Sequence, residues 1–143
     1  MANKKILIHF KDSLQVEGLK FTSQRVAVLE EIIKNIGHRE CEEIYFAIKE
    51  QGKQVSRATV YRTINILVKN NFARKIELGD GRARYESKVN SPHHDHLICT
   101  SCGNVVEFMD QNIEDIQEKI AKRYNFTLNR HTHQLFGTCK KCQ

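Results

Sequence analysis

The sequence predicts an α/β chain of the α+β type, with an N-terminal winged helix-turn-helix followed by a small α/β domain. Four short segments in the first half carry apolar residues at the spacing of amphipathic helices, and a basic hairpin follows them. In the last third, three segments alternate as strands do, and one more helix lies between two of them. The change of pattern predicts two domains within 143 residues.

The four N-terminal helices are predicted from apolar faces and end signals. Thr22 and Ser56 precede the second and fourth helices, where a side-chain oxygen can accept a hydrogen bond from the first turn. Gly18, Gly37 and Gly52 follow the first three helices as terminators. The expected apolar faces are Ile6, Phe10 and Leu14; Val26, Leu29, Ile32, Ile33 and Ile36; Ile44, Tyr45 and Ile48; and Val60, Ile64, Leu67 and Val68.

A two-stranded ribbon is predicted after the fourth helix. The segments FARKIEL and RARYES flank GDG, which is typical of a tight hairpin turn. Short helices followed by a basic hairpin are the pattern of a winged helix-turn-helix. The next stretch, SKVNSP, is the one with linker character. The predicted organisation is a DNA-binding domain, a hinge and a C-terminal domain, at residues 1–86, 87–92 and 93–143.

Positive charge is concentrated in the first two-thirds of the chain. Residues 1–92 contain 17 Lys or Arg and 11 Asp or Glu, which gives +6, whereas residues 93–143 contain six of each. This distribution favours an anionic partner, with nucleic acid first. No apolar run approaches the roughly 20 residues that span a bilayer, and the N-terminus lacks a signal-peptide core. We therefore predict a cytoplasmic protein.

The C-terminal domain is predicted to be small. HHDHLIC, NVVEFM and HTHQLFGTC are expected as strands, and IEDIQEKIAKRY as a helix with one apolar face formed by Ile113, Ile116, Ile120 and Tyr124. Three strands and one helix bury too little surface to be stable alone. A metal, a partner chain or both must therefore fix this domain.

The cysteines indicate a structural metal site. Cys99 and Cys102 form one CxxC pair, Cys139 and Cys142 form another, and 36 residues separate the pairs. Two such pairs in turns can close a tetrahedral four-thiolate zinc site. The alternative is a redox dithiol, but that chemistry needs one pair, usually at the start of a helix. Cys41 has no CxxC partner and is expected to be a packing residue.

The run HHDH is expected to serve two different sites. In a strand, successive side chains point to opposite faces, so His94 and His96 share one face while His93 and Asp95 share the other. Two ligands are too few for either site, and further candidates are His38, Glu86, Glu107, Glu114, His131 and His133. Any one of these can instead be a solvated charge or a hydrogen-bonded histidine. Histidine and carboxylate ligands suit Fe(II), Mn(II), Co(II) or Zn(II) at the moderate affinity of a sensor.

Five segments together carry a family resemblance. They are GLKFTSQR at 18–25, ATVYRTIN at 58–65, HHDHLICTSCG at 93–103, EF at 107–108 and CKKC at 139–142. On these motifs the chain resembles the ferric uptake regulator (Fur) family of bacterial metal-responsive repressors. The resemblance implies a homodimer in which each chain joins an N-terminal winged helix to a C-terminal α/β dimerisation domain. The sequence leaves open whether dimers pair into tetramers.

The resemblance also implies three metal sites. The regulatory site would consist of His38, Glu86, His94, His96 and Glu107. The second site, in the dimerisation domain, would consist of His93, Asp95, Glu114 and His131. The structural Zn(II) would be held by Cys99, Cys102, Cys139 and Cys142. The resemblance assigns no role to His133.

Two departures from family patterns bear on the regulatory metal. Gln24 stands where many members have proline, which leaves the start of the second helix less rigid. Glu86 and Glu107 stand where peroxide-sensing relatives usually have aspartates. Glutamates favour the Fe(II)-sensing branch, with Mn(II), Co(II) or Zn(II) as substitutes. Peroxide-sensing and zinc- or manganese-sensing members share the scaffold and remain the alternatives.

The resemblance implies a repressor of metal uptake genes that binds double-stranded DNA at an AT-rich inverted repeat. Two recognition helices, residues 57–70 of each chain, would enter successive major grooves. Tyr61 would contact a thymine methyl group; the alternative for Tyr61 is packing in the core. The expected DNA-binding residues are Lys20, Arg57, Thr59, Tyr61, Arg62, Arg74, Lys75, Arg82 and Arg84.

Two other classes of protein are disfavoured. Zinc deaminases need His-x-Glu and Pro-Cys-x-x-Cys; His38-Arg39-Glu40 supplies the first, but Ile98 and Thr138 precede the CxxC pairs. No His-Glu-x-x-His motif occurs, and each expected metal site is filled by protein ligands, so we predict that the chain is not an enzyme. A zinc-ribbon interaction module without DNA binding is the second rival, and a gel shift with and without metal distinguishes it.

Overall fold

The computed structural model describes residues 2–35, 37–89 and 93–143. The chain separates into two compact units that divide between residues 91 and 92. Part of the predicted hinge, residues 90–92, lies outside the described residues, as does Ile36 of the predicted apolar face of the second helix. The α+β fold class is confirmed. No helix of the described segments has the length and apolar character needed to cross a membrane.

Residues 2–35 and 37–89 form four helices and one antiparallel ribbon. They are α1 Lys4–Val16, α2 Ser23–Lys34, α3 Cys41–Glu50, α4 Arg57–Lys69, β1 Ala73–Glu77 and β2 Ala83–Ser87. The predicted N-caps are present, since the Thr22 hydroxyl accepts a hydrogen bond from the Arg25 amide and the Ser56 hydroxyl accepts one from the Thr59 amide. Gly18 follows α1 at a φ of +68°, a left-handed conformation that ends the helix.

The predicted apolar faces of the N-terminal helices meet in one core. Its fully buried side chains include Phe10, Leu14, Leu29, Ile32, Ile44, Ile48, Val60, Ile64 and Leu67. Phe10 also packs edge-to-face on Phe72, with 5.6 Å between ring centroids. These contacts fix the orientation of α4 relative to α2 and α3. The face of α4 opposite the core is therefore held in a fixed position on the surface of the N-terminal unit.

Residues 93–143 form a three-stranded sheet and one helix. They are β3 Asp95–Cys99, β4 Val105–Phe108, α5 Gln111–Arg123 and β5 Gln134–Gly137, followed by a 3-10 turn at Lys140–Cys142. The strand order is β4-β3-β5, with β3 antiparallel to β4 and parallel to β5. The Asp110 carboxylate caps α5 by accepting hydrogen bonds from the amides of Asn112 and Ile113.

Large apolar side chains are exposed on both layers of the C-terminal unit. On the sheet, Leu97, Val106, Leu135 and Phe136 are 44–51% exposed. On and after α5, the exposed residues are Ile116, Ile120, Tyr124, Phe126 and Leu128. Exposed apolar side chains in such number are typical of an interaction face in soluble proteins.

Candidate metal centres and nucleic-acid interface

The four C-terminal cysteines converge at one edge of the sheet. Cys99 ends β3, Cys139 follows β5, and the parallel pairing of Cys99 with Gly137 brings the two CxxC turns together. The four sulfur atoms all lie within 4.8 Å of one another, and 3.7 Å separates those of Cys102 and Cys139. A tetrahedral zinc site with Zn–S bonds of about 2.3 Å has sulfur–sulfur edges of about 3.8 Å. The cluster therefore fits a zinc ion.

The thiols of this cluster differ in acidity. The backbone amides of Cys139 and Cys102 donate to the sulfur of Cys99 and lower its pKa to about 6. Hydrogen bonds with the thiols of Cys139 and Cys102 favour the protonated form of Cys142 and raise its pKa to about 12. One thiolate is thus stabilised by the protein alone, whereas four adjacent thiolates require a cation.

Cys41 lies apart from this cluster, at the start of α3. It is buried, and burial raises the pKa of its thiol because the thiolate would lose its hydration. A buried, protonated thiol acts as a small apolar side chain. This environment agrees with the packing role expected for Cys41.

The second cluster brings His93, Asp95, Glu114 and His131 together. One carboxylate oxygen of Asp95 lies 3.4 Å from His93 Nε2 and 3.6 Å from His131 Nε2. One carboxylate oxygen of Glu114 lies 3.2 Å from His93 Nε2 and 3.4 Å from His131 Nε2. A tetrahedral ion with bonds of about 2.1 Å has edges of about 3.4 Å between its ligand atoms. These donor atoms fit one divalent cation.

Burial of the Asp95 carboxylate is energetically unfavourable unless a nearby positive charge compensates it. The Asp95 side chain is 1% exposed. Among the described residues, neither of its oxygens has a hydrogen-bond partner, and the same holds for Glu114 Oε1 and His131 Nε2. Buried carboxylates are normally hydrogen-bonded, paired or bound to metal. The arrangement therefore supports a metal site.

The N-terminal unit contributes His38 and Glu86 to the predicted regulatory set. The backbones of Arg39 and Tyr85 form an antiparallel bridge, with N–O distances of 3.1 and 2.7 Å. The neighbours of the bridged residues are consequently adjacent, and His38 Nε2 lies 2.9 Å from Glu86 Oε2. Glu86 is 5% exposed, and its other oxygen accepts a hydrogen bond from Arg74 at 3.1 Å.

The C-terminal unit contributes His94, His96 and Glu107. The antiparallel register of β3 and β4 places His96 opposite Glu107. His94 Nε2 lies 3.5 Å from Glu107 Oε1, and 5.0 Å separates the ring centroids of His94 and His96. His93 and Asp95 belong to the second cluster, so donors of the HHDH run alternate between two sets. The strand is shorter than predicted, since β3 begins at Asp95 and His93 and His94 precede it.

The predicted DNA-reading side chains of α4 lie on its outer face. The side chain of Arg57 is 57% exposed, Tyr61 is 42% exposed, Arg62 is exposed and Thr59 is half-buried. The exposure of Tyr61 does not agree with the core-packing alternative. The Tyr61 hydroxyl donates to Glu42 at 3.1 Å, and Arg57 donates to both oxygens of that carboxylate at 3.1 and 3.2 Å.

The other predicted DNA contacts lie in two environments. Lys20, Lys75 and Arg82 are exposed, as a phosphate-binding residue must be. Arg74 and Arg84 are half-buried, with side chains 26% and 19% exposed. Arg84 pairs with Asp80 at 2.7 Å and Arg74 with Glu86 at 3.1 Å. The exposed Lys75 and Arg82 also have carboxylate partners, Glu77 at 3.1 Å and Glu40 at 3.4 Å.

Sequence reasoning did not anticipate Glu42, the Arg39–Tyr85 bridge or the surroundings of His133. Contacts between Glu42 and α4, and between Arg39 and Tyr85, join segments distant in sequence and leave no local signal. For His133 a signal existed, because it lies two residues after His131 and such residues share a face in extended chain.

A winged helix-turn-helix joined to a four-thiolate cluster and to histidine–carboxylate donor sets defines a class, the metal-responsive transcription regulators. Comparison with known proteins agrees. The chain belongs to the ferric uptake regulator family, whose model matches residues 16–136. It is accordingly a transcription regulator and not an enzyme.

Three relatives show the extent of the similarity. The ferric uptake regulation protein of Campylobacter jejuni is 40% identical over 139 residues, which cover 96% of this chain and 88% of that protein. The structure of the Helicobacter pylori ferric uptake regulator revealed three functional metal binding sites in that protein. Its sequence is 35% identical to this chain, the TM-score is 0.85, and the match covers 99% of this chain and 94% of that one. The Campylobacter jejuni peroxide stress regulator is 26% identical with a TM-score of 0.71, covering 99% and 100%.

Proposed function

We propose that this protein is an Fe(II)-sensing repressor that binds DNA in its metal-loaded form and controls metal uptake genes. The observation that carries the proposal is the split set of donors, with His38 and Glu86 in one unit and His94, His96 and Glu107 in the other. Two or three ligands make an incomplete coordination shell. We propose that all five hold one regulatory ion.

The ligand types support Fe(II) as the regulatory ion. Imidazole and carboxylate donors without thiolate suit Fe(II) and also accept Mn(II), Co(II) or Zn(II). Glu86 and Glu107 are glutamates, as expected for an iron sensor rather than a peroxide sensor. Relatives named ferric uptake regulation protein, at 34–40% identity, favour the same choice. The likeness to a peroxide stress regulator makes peroxide sensing the second candidate function.

The other two clusters have different proposed roles. The four cysteines hold a structural Zn(II), which links β3 and β5 at the edge of a sheet with a small core. His93, Asp95, Glu114 and His131 hold a second divalent ion in the C-terminal unit. The three metal binding sites described for the Helicobacter pylori regulator support this number of sites.

The proposed partners are a second copy of the chain and double-stranded DNA. The exposed apolar faces of the C-terminal unit supply the surface for a homodimer. Arg57, Tyr61 and Arg62 lie on the outer face of α4, where they can enter a major groove. A two-fold dimer matches an inverted repeat, for which we propose an AT-rich site. A regulator of promoters acts in the cytoplasm of a bacterium.

Control of DNA binding follows from the division of ligands between units. A bound cation would supply the positive charge that offsets repulsion between the carboxylate ligands. Because His38 and Glu86 precede the linker and His94, His96 and Glu107 follow it, ligation by both sets restricts the orientation of the DNA-binding unit. Making a rare orientation dominant requires about 5 kcal/mol of differential metal affinity.

DNA binding with and without metal tests the proposal. Fluorescence anisotropy would follow an AT-rich inverted-repeat duplex titrated with wild-type protein, with Mn(II) in air and Fe(II) under anaerobic conditions. We expect tight binding with metal and weak binding without it. His96→Ala should remain dimeric in sedimentation and keep its zinc, but lose the response to metal. His9→Ala, which removes an imidazole from α1, is the matched control. Metal-dependent affinity of His96→Ala equal to that of wild type would refute the proposed site.

Oxidation separates iron sensing from peroxide sensing. The Fe(II)-loaded protein would be treated with peroxide, and the peptides containing His38 and His94 would be analysed by mass spectrometry. An iron sensor should keep both histidines unmodified. Addition of one oxygen atom to either histidine, with loss of DNA binding, would support the peroxide-sensing candidate instead.

A further inference from the structure

His133 lies beside the second histidine–carboxylate cluster without belonging to it. Its Nδ1 atom is 4.0 Å from Asp95 Oδ2, whereas the other oxygen of Asp95 faces His93 and His131. The Asp95 carboxylate therefore has a ligand side, which faces two imidazoles, and an outer side, which faces a third.

Sheet register fixes this position. The parallel pairing of His96 with Gln134 places Asp95 level with His133, and the His96 amide donates to the His133 carbonyl at 3.1 Å. On the other side of β3, the antiparallel register pairs Asp95 with Phe108. The ring of Phe108 packs edge-to-face on the imidazole of His133, with 6.0 Å between centroids. The imidazole is thus held by backbone and aromatic contacts over Asp95.

Both facing atoms are buried and lack a hydrogen bond. His133 Nδ1 and Asp95 Oδ2 have no hydrogen-bond partner among the described residues. A gap of 4.0 Å is too long for a direct hydrogen bond, but a small rotation of either side chain closes it, and one water molecule can bridge it. The two donors alone are too few to hold a separate ion.

We propose that His133 is a positioning residue for the second metal site: its Nδ1–H donates to Asp95 Oδ2, directly or through one water molecule, and so aims Oδ1 at the ion. Carboxylate ligands are commonly held by outer hydrogen bonds of this kind, whose removal weakens metal binding by about 10–100-fold. The inference rests on the second site proposed above and adds to it a residue outside the four ligands.

Cobalt titration of the full-length protein tests this role. All variants would carry His38→Ala, which removes a regulatory-site ligand from the other unit, and would be isolated with zinc in the cysteine cluster. Calorimetry and the visible absorption of bound Co(II) would give the dissociation constant of the second site. Zinc content and the circular dichroism of the cobalt-free protein would show that each variant is folded.

Two substitutions at position 133 separate hydrogen bonding from packing. His133→Leu keeps an apolar contact with Phe108 but has no polar atom, and we expect Co(II) binding about 10–100-fold weaker. His133→Asn keeps a donor near the position of Nδ1 and should recover most of that loss. An unchanged dissociation constant in His133→Leu would overturn the inference, as would an equal loss in both variants.

A further pair of variants distinguishes this inference from the site itself. Asp95→Asn and His131→Ala remove proposed ligands and should abolish Co(II) binding at the second site. If they do so while His133→Leu binds like its parent, the inference fails and the site stands. If Co(II) binds equally well in all of these variants, the second site and the role of His133 both fail.

Discussion

At the scale of single residues, Glu31 shows how a buried charge is held in the N-terminal core. It is 3% exposed, and its carboxylate accepts hydrogen bonds from Asn35, Arg39 and Gln51 at 2.6, 2.8 and 2.6 Å. Burial alone would raise the pKa of this carboxyl group. The hydrogen bonds from Arg39, Gln51 and Asn35, together with the charge of Arg39, outweigh burial, and the pKa is lowered.

Glu31→Ala is expected to destabilise the N-terminal unit by about 3–5 kcal/mol, because it leaves the Arg39 guanidinium without its buried partner. Urea unfolding followed by circular dichroism at a helical wavelength would measure the change. Glu30→Gln is the matched control on the same helix: its carboxylate pairs with Lys53 at 3.6 Å near the surface, and we expect less than about 1 kcal/mol. Equal effects of the two substitutions would contradict this account of Glu31.

The lowered pKa of Glu31 also predicts a pH dependence. In the folded chain this group releases its proton at a lower pH than in the unfolded chain, whose ordinary value is about 4.3. The stabilisation is therefore fully present above that value and is lost as the pH falls through the folded pKa. Unfolding free energies measured between neutral pH and acid should fall less steeply in Glu31→Gln than in wild type. Parallel curves would show that Glu31 is not responsible.

Glu42 is the residue that most directly opposes the proposed DNA contacts. Its carboxylate accepts hydrogen bonds from Arg57 and from the Tyr61 hydroxyl, two of the side chains proposed to contact DNA. We expect Glu42→Gln to strengthen operator binding, because DNA phosphate then competes for Arg57 with a neutral amide and not with a carboxylate. The gain should be at most about fivefold, which corresponds to the free energy of one exposed ion pair. Anisotropy titrations at two salt concentrations would measure it, with Glu50→Gln at the end of α3 as the control. Weaker binding by Glu42→Gln would mean that Glu42 prepares these side chains for DNA.

At the scale of elements, local rules predicted the order of the helices and strands, but β3 and β5 are shorter than predicted, because they begin at Asp95 and Gln134. Thr22 and Ser56 cap the helices that they were expected to cap, and the apolar spacing located all of the helices described. The helix of the C-terminal unit begins at Gln111 rather than Ile113, because the Asp110 side chain caps it two residues earlier. In the structure His93 lies beside Asp95 and His94 lies beside His96, as alternating side chains of an extended chain would, although His93 and His94 precede β3.

Contacts between distant elements could not be predicted. The bridge between Arg39 and Tyr85 sets His38 beside Glu86, yet neither segment carries a signal for it. Arg74 was expected on DNA because the ribbon is basic, but its register places it opposite Glu86, to which it donates a hydrogen bond. The Arg39–Tyr85 bridge depends on tertiary packing, which a single sequence does not specify. The Arg74–Glu86 pair instead lies within the predicted hairpin and depends on its register.

The cysteine cluster is expected to decide whether the C-terminal unit folds. A structural zinc site contributes about 10–16 kcal/mol of apparent binding energy, and this unit has a small core. Cys139→Ser should lose zinc and, in sedimentation, its dimer. Cys41→Ala, which removes a cysteine outside the cluster, should keep both. A Cys139→Ser protein that is free of zinc and still dimeric would contradict the structural role.

At the scale of the whole molecule, charge and donors are distributed unevenly. The net charge of +6 lies entirely within residues 1–92, where the proposed DNA contacts are, while the cysteine cluster and the second cluster lie in the neutral remainder. The proposed regulatory ligands alone come from both parts. The proposed site therefore predicts that metal sensing needs both units and that neither unit shows it when expressed separately.

The most direct test of this central claim is a double-mutant cycle on metal affinity. Mn(II) binding would be measured by calorimetry in wild type, His38→Ala, His96→Ala and the double variant, each with zinc in the cysteine cluster. If one ion takes ligands from both units, either single substitution weakens the same binding event. The loss of Mn(II) affinity in the double variant should then be far smaller than the product of the two single losses. Normal Mn(II) affinity in His38→Ala, or two losses that multiply independently, would contradict it.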